Sequence, residues 1–386
     1  MPHASSSGSF FLDSLSTLPN EDWRRHWPAG KTLWLRMASK RLRAAVDKLH
    51  PPASVYLSRT VWADARSGAR PLAAISQFVL LQLSAVPSRC RITTLDLSGE
   101  LPSANEGLGH EGAERLAAVL AQCPDLSCLD LAWNRLGDQG VGNLGACVLL
   151  HCPKLSHLCL KGNGLEAAGS GRLAEVLSLL GGSNGGTGLS DLDLGYNRIG
   201  DEGAQSISRV LGNCRMLSHL DLCHNAIGSA GMEILASVLA QCTALSHLDL
   251  GYNHIGAEGA RIIAEALAHA CSLGGVVAQC PALAHLDLSS NDIGTAGAES
   301  LGGVLPQCRA LASLKLAWNW IGNEGAERLA EVLGRCPALV HLDLEFNAIE
   351  AGGAERLRAS WLGEASGLVL AGRGSSADWA YLAQRA

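Results

Sequence analysis

Three rows of chemically capable residues recur at a fixed offset along this 386-residue chain. The first row is histidine: His157, His219, His247, His285 and His341. The second is aspartate: Asp130, Asp193, Asp221, Asp249, Asp287 and Asp343, broken by Cys159 and Lys315. The third is mostly aromatic: Trp133, Tyr196, His224, Tyr252, Trp318 and Phe346. Acid beside aromatic suits a basic protein partner. The nearby aspartates are expected to raise the histidine pKa values, which would make such binding pH-sensitive. The expected partner-binding set is every aspartate of the second row, every residue of the third, and His247 and His285. No cluster along the chain has a dedicated three- or four-ligand spacing, so neither a metal nor a cofactor is expected. The plain alternative is that histidine and aspartate are inert filler copied with the segment that carries them.

That segment is clearest at Leu245–Gly259, LSHLDLGYNHIGAEG, of the form L-x-x-L-x-L-x-x-N-x-I-G-x-x-G. Leu248 and Leu250 alternate as one face of a strand does. Ala260–Leu267 follows with apolar residues at helical spacing. One unit therefore reads as strand, tight turn, helix, and it cannot bury its apolar face without neighbours. Its asparagines, Asn134, Asn163, Asn197, Asn225, Asn253, Asn291, Asn319 and Asn347, lie 29, 34, 28, 28, 38, 28 and 28 residues apart. The underlying period is 28 residues. The leucines are expected to point inward, the asparagine to satisfy turn backbone, and the glycines to permit the turn. Function is then left to the outward rows. In the strand these are the residues flanking the second leucine and those following the third.

The pattern resembles the leucine-rich repeat family, specifically its ribonuclease-inhibitor-like class, over about Ile92–Leu362. The resemblance implies an α/β solenoid horseshoe of about nine units, with a parallel sheet inside and helices outside. It also implies a non-enzymatic protein-interaction scaffold that uses the concave face.

Charge is split along the chain. Residues 1–91 carry 13 Lys and Arg against 5 Asp and Glu; residues 92–386 carry 17 against 31. The acidic body argues against nucleic acid along the repeats. Seven of the 13 cysteines (Cys123, Cys152, Cys214, Cys242, Cys280, Cys308, Cys336) share one repeat position, which suggests a reduced packing role in an intracellular protein, cytoplasmic or nuclear. No apolar run is long enough to span a membrane, and the N-terminus does not read as a secretory signal.

The expected organisation is a disordered segment 1–17, a helical region 18–90, repeats over 91–362, and a cap and tail at 363–386. The helical region resembles a degenerate F-box. Leu18-Pro19-Asn20-Glu21 matches the start of that family's pattern, and Leu33–Val46 its closing apolar-basic helix. Trp23-Arg24-Arg25-His26-Trp27 replaces the usual aliphatic run. This resemblance implies a substrate adaptor that docks a Skp1-like ubiquitin-ligase component through residues 18–50; the alternative is a plain N-terminal cap. Ran-type GTPase activators and the sensor arrays of NOD-like receptors resemble the chain in repeat length only. The Gly-rich run Gly181–Gly188 and the surplus His269–Val277 read as insertions.

Overall fold

The computed structural model describes residues 9–11, 53–56, 92–99, 107–121, 123–180, 188–239, 241–272 and 283–370. The expected N-terminal regions 1–17 and 18–90, the tail beyond residue 370 and most of both insertions lie outside the described residues. The chain divides into two compact units, Met1–Asn184 and Gly185–Ala386.

In the first unit, strands β1 (Ser9–Phe11), β2 (Ala53–Tyr56), β3 (Ile92–Asp96), β4 (Cys128–Asp130) and β5 (His157–Cys159) pair in parallel, each with the next. Leu95, Leu129 and Leu158 stand in one register column. Helices Gly109–Leu120, Gly137–His151 and Ala167–Leu180 follow β3, β4 and β5.

The second unit repeats the plan with β6 (Asp191–Asp193), β7 (His219–Asp221), β8 (His247–Asp249), β9 (His285–Asp287), β10 (Ser313–Lys315), β11 (His341–Asp343) and β12 (Leu368–Val369). All neighbours pair in parallel. A helix follows each strand from β6 to β11: Gly200–Leu211, Ser229–Leu239, Gly256–Ser272, Gly294–Val304, Gly322–Leu333 and Ala351–Ser360. Both units are thus leucine-rich-repeat α/β solenoid in kind, and the expected fold class holds.

The repeat residues do their work where the spacing places them. Leu245, Leu248 and Leu250 are buried, as are Ile255, Ala260, Ile263 and Ala264 behind them. Each fully buried side chain of this size contributes roughly 1.5–3 kcal/mol. Gly256 carries φ +65°, a left-handed conformation open to glycine, where the chain enters the helix.

Asparagine closes the turn in three directions. The Asn253 amide donates to the carbonyls of Leu250 and Gly251 in its own coil and of Leu222 in the coil before. Its Oδ1 accepts from the backbone N–H groups of Asn225 and Ile227. All eight motif asparagines are buried, and buried backbone groups must be paired. This is the role their spacing predicts.

The repeat cysteines Cys123, Cys152, Cys214, Cys242, Cys308 and Cys336 are buried free thiols. The thiols of Cys214, Cys242, Cys308 and Cys336 donate to the carbonyls of Val210, Val238, Val304 and Val332, four residues earlier. Among the described residues no helix is long and apolar enough to cross a membrane.

Candidate protein-binding surface

The parallel register turns sequence rows into physical columns. In the second unit Asp193, Asp221, Asp249, Asp287, Lys315 and Asp343 are consecutive register partners. Parallel neighbours sit about 4.8 Å apart, so the carboxylates crowd one another. Their distribution is not inert. The Oδ1 atoms of Asp193, Asp221, Asp249, Asp287 and Asp343 each accept the backbone N–H two residues on, from Gly195, Cys223, Gly251, Ser289 and Glu345. One oxygen therefore holds the turn, a structural duty that the spacing alone did not reveal.

Asp249 sits at the middle of this column. Burial and the neighbouring Asp287 and Asp221 push its carboxyl up to about 6, against the Gly251 N–H and Lys315, which act downward. Lys315 bridges to Asp287 at 2.9 Å and is itself raised, chiefly by that bond. Asp221, Cys223 and Asp249 also bring one oxygen or sulfur atom each within 4.8 Å of one another.

Within the histidine column, His247 behaves contrary to expectation. The His219 and His247 rings stack at 4.1 Å, as do His247 and His285. The pKa of His247 is lowered, first by burial and then by its two histidine neighbours, with Asp191 opposing. The expected upward shift fails here chiefly because the ring is desolvated, and then because its neighbours across the sheet are other imidazoles. The row also contains Asp191, the register partner of His219, which sequence reasoning missed. Aligning DLDL at 191–194 with HLDL at 219–222 would have shown it.

The third row forms two stacked runs. Tyr196, His224 and Tyr252 stack at 4.7 and 5.6 Å, and Trp318 stacks on Phe346 at 3.9 Å. Ser290 interrupts them with a buried Oγ that has no hydrogen-bond partner. Each residue of the row precedes a motif asparagine and lies in the left-handed region: Tyr196, His224 and Tyr252 at φ 55°, Trp318 at 59° and Phe346 at 53°. This conformation costs a non-glycine residue roughly 1–2 kcal/mol. Tyr252 nonetheless remains 47% exposed. Trp320, at φ 58° and 51% exposed, is a further exposed aromatic two residues past Trp318 and was also missed, although W-N-W at 318–320 signals it.

In the first unit Asp130 and Trp133 keep the same repeat positions. Asp130 accepts the Ala132 N–H and is raised chiefly by burial. Trp133, at φ 61°, lies against Gly162, where a Cβ would collide with its ring. In the second unit the expected histidines and aspartates lie on the strands in register, and the aromatic row follows three residues past the aspartate column.

Comparison with known families matches the Leucine Rich repeat over residues 122–145, 189–208, 213–236, 241–264, 279–302, 307–330 and 335–357. Seven such repeats are present, and each matched segment from 189 onward carries a strand of the second unit. No curated protein matches the chain.

Proposed function

We propose that the chain is a non-enzymatic protein-interaction scaffold whose binding surface is the open sheet face of the second unit. The partner would present a basic surface. The observation that carries this reading is the aromatic row, exposed at Tyr196, His224 and Tyr252 and held in left-handed backbone, that follows the aspartate column. Strained residues persist where surrounding structure compels them, and they concentrate at functional sites. Rigid aromatics flanked by acid suit cationic side chains, through ring-face and ion-pair contacts.

The test is affinity capture from cell extract with the intact chain and with Asp249→Asn/Tyr252→Ala, in which the asparagine can still accept the Gly251 N–H. The double variant should lose the captured partners while its thermal unfolding stays nearly unchanged, and capture should weaken with salt. Equal capture by both proteins would end this proposal.

The 28-residue period supports the ribonuclease-inhibitor-like class. An adaptor role in a ubiquitin ligase is supported by Leu18-Pro19-Asn20-Glu21 and the helix pattern Leu33–Val46. Its test is recovery of a Skp1-like component by the intact chain and its loss on Leu18→Ala/Pro19→Ala/Leu35→Ala. A Ran-type activator or NOD-like sensor role rests on repeat length alone, a weak warrant.

A further inference from the structure

We propose that the break in the aromatic row at Ser290 is a slot for one arginine side chain of the partner, entering between the rings of Tyr252 and Trp318. This rests on the basic-partner reading above and names the group that the partner must supply.

The backbone places the three residues in consecutive coils. The Tyr252 N–H donates to the Ser289 carbonyl at 2.7 Å, and the Ser290 N–H to the Ala317 carbonyl at 2.8 Å. Tyr252 and Trp318 therefore stand two coils apart, about 9.6 Å at the spacing of parallel strands. Tyr252 is stacked on His224 on its other side, 7° from parallel, and Trp318 on Phe346, 12° from parallel. The row thus turns a ring face toward the Ser290 position from each direction. A flat group needs about 3.5–4.0 Å on each of its faces, so the interval takes one such group and not two.

Nothing about stability explains a serine there. Ser290 has φ 55°, the same left-handed backbone as Tyr196 and Tyr252, so a ring is sterically possible at this point of the turn. The serine instead leaves an enclosed Oγ with no hydrogen-bond partner, a cost to the fold that a ring would not carry. Because that oxygen is enclosed, the flanking rings and a carboxylate are the contacts offered to a ligand.

Charge selects the occupant. Asp249 and Asp287 precede Tyr252 and Ser290 by three residues. Lys315 already bridges Asp287 Oδ2. Among the described residues, the hydrogen bond that Asp249 makes is the one its Oδ1 accepts from the Gly251 N–H, which leaves Oδ2 to an arriving donor. A neutral ring would fill the interval but leave this carboxylate unanswered. A lysine ammonium would answer it but is compact and strongly hydrated. Guanidinium does both, since it is flat, stacks on aromatic faces and carries its donors at its edge.

The experiment compares two heptapeptide probes of equal charge, all lysine or lysine with one central arginine, by fluorescence anisotropy on the intact chain in about 0.15 M salt. The arginine peptide should bind about fivefold tighter. Its δ-methylene protons should move upfield in the complex, because ring faces shield them from both sides. Ser290→Tyr fills the slot, so it should bind the two peptides equally and lose the upfield shift, while melting no lower than the parent. Equal binding of both peptides by the parent overturns the slot, as does an arginine preference that survives in Ser290→Tyr. The wider reading is separated by Asp249→Asn/Tyr252→Ala. If the parent binds both peptides equally and the double variant loses both, the acid–aromatic surface stands and the slot does not. If the parent binds neither, or the double variant binds both unchanged, the surface and the slot fail together.

Discussion

The backbone N–H of Asn225 donates to the side-chain Oδ1 of Asn253 at 2.9 Å, so the turn of one coil is closed by the asparagine of the next. The same bond joins Asn291 to Asn319 and Asn319 to Asn347, each at 2.9 Å. Stability is therefore shared between neighbours.

Replacing Asn253 with leucine should strip partners from the N–H groups of Asn225 and Ile227 and from the Leu222 carbonyl at once. Buried unpaired groups cost about 1–3 kcal/mol each, so a loss of at least about 3 kcal/mol is expected in urea denaturation. An unaltered midpoint would contradict the asparagine's role.

Tyr252→Gly should separate folding from binding. Glycine relieves the left-handed strain at φ 55° but adds freedom to the unfolded chain. Stability should stay within about 1 kcal/mol of the parent, while capture of the basic partner falls. A large drop in the melting temperature would show that the tyrosine is structural instead.

Gly162→Ala tests the converse in the first unit. An added Cβ meets the Trp133 ring, and φ +64° disfavours alanine. A destabilisation of about 2 kcal/mol or more is expected, with a change in tryptophan fluorescence as Trp133 is displaced. Wild-type stability with an unchanged emission spectrum would refute the contact.

Asp249 makes stability pH-dependent. Its folded pKa of about 6 lies above the ordinary carboxylate value, so the folded chain keeps a proton that the unfolded chain has released. Stability from this group is present at low pH and is lost as pH rises from about 4 through 6. Asp249→Asn, which can still accept the Gly251 N–H, should be more stable than the parent at pH 7. The gain should be up to about 2 kcal/mol after allowance for solvent screening, and should vanish near pH 4. His247 acts oppositely: its lowered pKa resists protonation, so acid below about 6.5 weakens the fold through it. The Asp249 slope should therefore steepen in His247→Gln. Parallel pH curves for Asp249→Asn and the parent would contradict this assignment.

The repeat cysteines should be silent. Burial pushes the thiols of Cys123 and Cys242 up to about 11 and raises Cys336 as well. Iodoacetamide at pH 8, read by peptide mass spectrometry, should leave these three unlabelled in the folded protein and label them in guanidinium. Rapid labelling of the folded chain would argue against their packing role.

The strands, the helices and the asparagine turns were legible because one period repeats the same Leu, Asn and Gly choices. The outward rows were legible as positions but not as chemistry. Nothing in the letters of Asp221 says that one oxygen is committed to the Cys223 N–H. The left-handed backbone at Tyr252 and Trp318 was hidden because aromatics are poor residues there, and a reader of sequence expects glycine, as at Gly162. The direction at His247 was misread because Asp249 is visible along the strand, whereas the ring's burial and then His219 and His285 across the sheet emerge only in the fold.

The two-residue strand β12 has a consequence for self-association. Val369 accepts the Leu344 N–H at 2.9 Å, and Gly367 packs so closely on the Val340 carbonyl that a Cβ there would collide. A parallel edge left bare is adhesive, offering its unpaired amides to the first strand of another copy. Head-to-tail addition of that kind does not close on itself and grows into a filament. Covering the β11 edge with so short a strand as Leu368–Val369 is one of the devices by which proteins limit such addition.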